Sequence, residues 1–143
     1  MIEVKLRGFE EARRALRAMP ERIQKNVMRG ATAAIAKDTR DDARARAPVD
    51  EGNLRDNIVH GRRRGRPGQI KASVSVRTEG KADSGKNAFY WRFVEYGTQK
   101  MAKIPFLRPA FDALATRLSA VLQRYLPARV EKELRKLAGM PKR

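Results

Sequence analysis

A chain of 143 residues with no cysteine and one histidine excludes disulfides and thiolate metal sites, and its length suits one domain over residues 1–143. Such a domain buries roughly 68–70% of its unfolded surface and folds without staples. The 33 basic against 16 acidic residues, a formal charge of +17, far exceed what solubility requires and imply an anionic partner, with nucleic acid the leading candidate. No apolar run reaches the roughly 18 residues of a membrane span, and Met1 to Lys5 lack a signal peptide's apolar centre, so a soluble protein made in a cytoplasm is expected.

Ile2, Val4 and Leu6 alternate with Glu3, Lys5 and Arg7, which predicts a short opening strand ended at Gly8. Phe9, Ala12 and Leu16 then share a helical face, and Pro20 ends that helix. A second helix runs to about Arg46 on a narrow stripe of Ile23, Val27, Ala31, Ala34 and Ile35 that lets another element approach closely; beyond it the face thins to Thr39, Ala43 and Ala47. Pro48 closes this helix, a turn follows through Gly52 and Asn53, and Leu54, Ile58 and Val59 lead into an arginine-rich loop. Ile70, Ala72, Val74 and Val76 alternate with polar residues, making a second flank and a plausible hairpin with a long basic tip. Residues 80–86 read as a mobile polar loop.

Seven of the nine aromatic residues fall between Phe89 and Phe111, so the best-packed region is expected there, with Phe106 and Phe111 in the main core. Phe89, Trp91 and Phe93 fit a strand face, whereas Phe89, Phe93 and Tyr96 fit a helix face; the aromatics and Val94 favour the strand. Gly97 stops this element, and Pro109 suits the first turn of a final helix carrying Phe111, Leu114, Leu118, Val121, Leu122 and Tyr125. Leu126 and Pro127 interrupt it with a kink or a break before Val130, Leu134 and Leu137 resume the stripe.

The inventory for catalysis is poor. No phosphate-binding loop, nucleophile elbow or metal-ligand spacing occurs. Asp38, Asp41 and Asp42 could in principle hold a hard cation, but Arg40, Arg44 and Arg46 around them favour a solvated ion-pair face. Glu95, the one acid in the aromatic stretch, reads as a structural or interface acceptor rather than a lone general acid, and His60 as exposed and silent. Arg64-Gly65-Arg66-Pro67, after Arg62 and Arg63, is similar to the AT-hook of minor-groove binders; its strand flanks favour a solvated hairpin tip making non-specific phosphate contacts.

Taken together, Leu16 and Pro20, Ala47-Pro48-Val49-Asp50 with Gly52-Asn53-Leu54-Arg55, Tyr90 with Phe93-Val94-Glu95-Tyr96-Gly97-Thr98, and Pro105-Phe106-Leu107-Arg108-Pro109-Ala110 form a pattern over nearly the whole chain. It resembles the siphophage neck or tail-completion proteins typified by gene product ten of phage Hong Kong ninety-seven. Glu51 departs from the small or hydroxyl residue usual in that family, and the arginine-rich loop is not a family hallmark. The resemblance implies a structural virion protein, with no reaction catalysed, forming a homo-oligomeric ring at the head-tail junction or tail end around the DNA exit channel. Its partners would be copies of itself and phage neck and tail proteins, with non-specific DNA contact through Arg62, Arg63, Arg64 and Arg66, and no cofactor, metal, membrane or small-molecule substrate. Glu95, Tyr96, Gly97, Thr98, Pro105, Phe106, Leu107, Arg108 and Pro109 are its expected motif and interface residues. The expected fold is α+β, an antiparallel sheet of three or four strands packed against two long helices. A small basic DNA-binding protein using the arginine loop is the alternative.

Overall fold

The computed structural model describes residues 7–49, 52–79 and 87–139, with side chains from residue 10 onward. In chain order these form α1 (Arg7–Ala18), α2 (Glu21–Arg46), α3 (Asn53–Asp56), β1 (Ile58–Arg63), β2 (Lys71–Val76), α4 (Trp91–Tyr96) and α5 (Leu107–Leu137). The class is α+β with two long helices, but the sheet among the described residues has two strands rather than three or four. The strand expected over residues 2–6 and the polar loop 80–86 lie outside the described residues, as does Glu51.

The other difference is a change of element. Trp91–Tyr96 is a helix, not a strand. Its inward face is carried by buried Glu95 and half-buried Trp91 and Val94, with buried Ala88 just before it, while Phe93 and Tyr96 point outward. A helix satisfies its own backbone hydrogen bonds and brings Trp91, Val94 and Glu95 to one face, whereas alternation along a strand would turn Val94 away from Trp91 and Glu95.

The hub is α2, which packs against α5 and against both strands. Its thin stretch proves as tightly packed as the stripe before it: Thr39, Ala43 and Ala47 are buried like Val27 and Ala31, and the Thr39 hydroxyl is satisfied within the helix by the Ile35 carbonyl at 2.9 Å. Small side chains bring the neighbouring elements in close, as the sequence predicts. At Gly30 the approach is extreme, since a Cβ there would stand 2.0 Å from the Tyr125 hydroxyl.

Burial divides into two clusters along α2. In one, Ala12, Leu16 and Met19 of the α1 region meet Val27, Ala31, Leu126 and Val130. The other gathers Ala43, Ala47, Leu54, Ile58, Val76, Ala88, Phe106 and Ala110. The hairpin thus lies on α2, and Phe106 and Ala110 bring the start of α5 into its core. β1 and β2 pair antiparallel from Ile58↔Val76 to Arg63↔Lys71.

Pro127 does not interrupt α5, which runs continuously from Leu107 to Leu137. Proline removes one helical donor and crowds the carbonyl four residues earlier. Buried Leu126 and Val130 on either side hold the helix together across that defect.

Candidate functional site

The stretch from α4 to the start of α5 is organised by one carboxylate. α5 opens with Phe106, Leu107 and Arg108 followed by Pro109, so three N–H groups precede a residue that has none. All three donate to Glu95: Phe106 N to Oε2 at 2.8 Å, Leu107 N to Oε2 at 3.0 Å and Arg108 N to Oε1 at 2.9 Å. Glu95 is 5% exposed, and among the described residues no lysine or arginine pairs with it. The positive end of the α5 dipole and the otherwise unpaired amides compensate the buried charge instead. This is a structural acceptor role, reached from an element whose periodicity allows strand or helix and which residue preference misassigns to strand.

Between the two halves the chain makes a tight excursion. Gly97 ends α4 at φ +75°, and a Cβ there would lie 2.9 Å from Lys103 N and 3.0 Å from Met101 O. Only glycine combines that left-handed backbone with so close a crossing. Thr98 and Met101 then exchange backbone hydrogen bonds at 2.9 and 3.3 Å, and Ile104 N returns to Val94 O at 2.8 Å. The loop is folded back on α4 and carries exposed apolar side chains.

That exposure overturns the expectation that the aromatic stretch is the densest core. Phe106 is fully buried, but Phe89, Phe93, Tyr96 and Phe111 are 57%, 52%, 71% and 46% exposed, and Met101 and Ile104 are open as well. Phe111 therefore is not a core residue. Tyr90, Trp91, Val94 and Leu107 are half-buried against the hairpin cluster. The segment packs on the rest of the chain through one set of side chains and leaves a second apolar set exposed among Arg92, Lys100, Lys103 and Arg108.

The earlier part of the pattern is a fastening device. Gly52, at φ +80°, precedes α3, whose Leu54 is buried in the core. Asn57 donates to Asn53 O at 2.8 Å and to Asn53 Oδ1 at 2.7 Å, and Asn53 in turn donates to Asn87 O at 3.2 Å. Arg55 reaches back to Ala47 O at 3.3 Å. These bonds tie the end of α2, the start of β1 and the approach to α4 into one piece.

The family described as "Bacteriophage HK97-gp10, putative tail-component" matches residues 10–97. The chain belongs to that family. The matched region ends at Gly97, so Pro105 to Pro109 lie beyond it, and Glu95 is the residue that binds the matched part to the unmatched helix start. The HK97-gp10 family assigns the chain a phage tail-related structural role, with other tail proteins as partners and the virion as location. No curated protein and no solved structure matches it significantly.

Two further groups singled out in the sequence lie elsewhere. Asp38 and Asp42 are joined across to α5 by Arg117, at 3.2 Å each, Arg46 pairs with Asp42 at 2.9 Å and Arg40 with Asp41 at 2.6 Å. Asp38 and Asp42 thus fasten α2 to α5, while Arg40–Asp41 and Arg46–Asp42 are ion pairs within α2 of the kind the sequence favours, and Arg44 instead donates to Ile58 O at 2.9 Å. His60 is half-buried, with Nδ1 3.1 Å from the Arg40 guanidinium, so it is neither exposed nor unpartnered. Arg62 and Arg63 end β1, and Arg64 and Arg66 follow in the tip, all exposed. Arg117 had no sequence signal, because its partners are on another helix.

Proposed function

We infer that this protein is a structural virion component that closes as a homo-oligomeric ring at the head-tail junction or tail end of a long-tailed phage, around the channel through which DNA leaves. The whole chain, residues 1–143, acts as one subunit unit in this reading, made in the bacterial cytoplasm and built into the particle. The observation that carries it is the exposed apolar set Phe89, Phe93, Tyr96, Met101, Ile104 and Phe111, concentrated in one stretch that Glu95 and Gly97 hold in shape. Several large apolar side chains left open in one stretch of a strongly charged protein suit an interface between subunits better than solvent. A ring uses such a surface head to tail, each copy covering the next. Tyr96, Thr98, Pro105 and Arg108 fall on the outside of this stretch and would meet the neighbour, whereas Glu95, Phe106 and Pro109 shape it from within. A small basic DNA-binding protein acting through Arg62, Arg63, Arg64 and Arg66 is the second reading, favoured by the exposure of all four.

Native mass spectrometry over a concentration series tests the ring. The expected result is a monomer at low concentration shifting to a cyclic species as concentration rises or tail components are added. The double variant Phe93→Ser/Tyr96→Ser should remain folded by circular dichroism and lose that shift. A strict monomer under every condition, or a variant that assembles like the parent, would count decisively against this surface.

A further inference from the structure

Assembly through α4 leaves the arginine-rich hairpin unused, and the fold adds a second wall to it. A cleft of about 560 Å³ lies between the hairpin tip and α2, lined by Lys25 and Arg29 from the helix and by Arg62, Arg64, Arg66 and Lys71 from the hairpin, with no Asp or Glu in its walls. Among the described residues no carboxylate comes within 4.0 Å of Arg29, Arg62, Arg64, Arg66 or Lys71. Lys25 has only an exposed partner, Glu21, at 2.6 Å. A neighbouring cleft shares Lys25 and Arg29 and adds Arg22 beside one acid, Glu21, so the excess of cations continues along α2. From Arg22 to Arg29 the helix axis advances about 10 Å, roughly three nucleotide steps of one DNA strand.

We propose that this cleft binds the phosphate backbone of duplex DNA without regard to sequence. Cations spread along a track suit a polymer of phosphates better than a single anion. Stacking on single-stranded bases needs aromatic side chains, and insertion into a membrane surface needs an apolar face; the cleft has no aromatic lining. A minor-groove hook runs on extended past its Arg-Gly-Arg core, whereas here the last of the three, Arg66, begins a β-turn closed by Gln69 N to Arg66 O at 2.9 Å, with Gly68 at φ +80°. The turn presents the arginines as a corner for phosphates. The site belongs to the single subunit and does not depend on ring closure.

Fluorescence anisotropy of the full chain, kept below its assembly concentration, against labelled A/T-rich and G/C-rich duplexes tests this. With about four phosphates contacted, the log-log salt slope is about −3.6, and affinity falls roughly a hundredfold between about 50 mM and about 200 mM salt, equally for both duplexes. Lys25→Gln/Arg29→Gln and Arg64→Gln/Arg66→Gln should each weaken binding about tenfold or more at low salt and flatten the slope by about 1.8, because two phosphate contacts are lost. Lys132→Gln/Arg135→Gln removes the same formal charge from the far end of α5 and should change neither. Circular dichroism checks that each variant is folded. Loss of binding equal in the control, no duplex binding at low salt, preference for single strands, or equally tight binding to phosphatidylserine vesicles would each overturn the proposal. So would an A/T preference abolished by Arg64→Lys/Arg66→Lys, which would mark a hook.

Discussion

Glu95 shows how one buried acceptor can fix the start of a distant helix. Its carboxylate replaces the intrahelical partners that three amides at the start of α5 lack, and it does so 5% exposed. Glu95→Gln keeps the volume but removes the charge and turns one acceptor oxygen into a donor facing an N–H. The expected loss is about 2–3 kcal/mol in urea denaturation, since hydrogen bonds to charged groups contribute about 1.5–3 kcal/mol and an unsatisfied buried donor adds to the cost. A second comparison separates packing from surface. Phe106 is fully buried and Phe111 is 46% exposed, so Phe106→Ala should cost about 3–5 kcal/mol while Phe111→Ala stays within about 1 kcal/mol. Equal losses at both positions would show that Phe111 is packed in the free subunit.

At the scale of elements, α4 and α5 each adopt a structure that local preference disfavours. α4 is aromatic and β-branched, yet it is helical because a helix places Glu95 under the α5 terminus and Trp91 and Val94 against the hairpin core. α5 keeps its course through Pro127 because Leu126 and Val130 are anchored between α1 and α2. Tertiary packing routinely overrides propensity at this magnitude. Pro127→Ala restores a helical donor and relieves the crowding, so it should raise stability by about 1–3 kcal/mol in chemical denaturation. An unchanged or lower midpoint would mean that the proline is accommodated without penalty or shapes a contact that alanine loses.

Over the whole molecule, the charge is unevenly placed. Acids farther along α2 are consumed in ion pairs with Arg40, Arg46 and Arg117, whereas the hairpin and the adjoining part of α2 carry cations of which, among the described residues, Lys25 alone has a carboxylate neighbour, Glu21. With a formal charge of +17 the compact state repels itself, and the nine ion pairs among the described residues, most of them at least partly exposed, each offset little of that. Raising sodium chloride from about 10 mM to about 150 mM shortens the screening length from about 30 Å to about 8 Å and should raise the thermal midpoint by a few degrees. A fall would show that the Arg117 and Arg46 pairs outweigh the net repulsion.

The sequence by itself determined the elements whose signals are local. Both long helices, the stop at Pro20, the close after Arg46, the hairpin and its basic tip, and the family pattern were legible because periodicity, proline and glycine act on near neighbours. Only the tertiary structure decided which apolar residues are inside. Aromatic content marked residues 89–111 as important without distinguishing core from surface, since Phe106 and Phe111 are chemically identical and differ only in what packs over them. The same holds for polar partners: Glu95 meets amides eleven to thirteen residues away, and Arg117 meets carboxylates on a different helix. Such pairings depend on how distant segments are brought together in space, which no local pattern in the chain records.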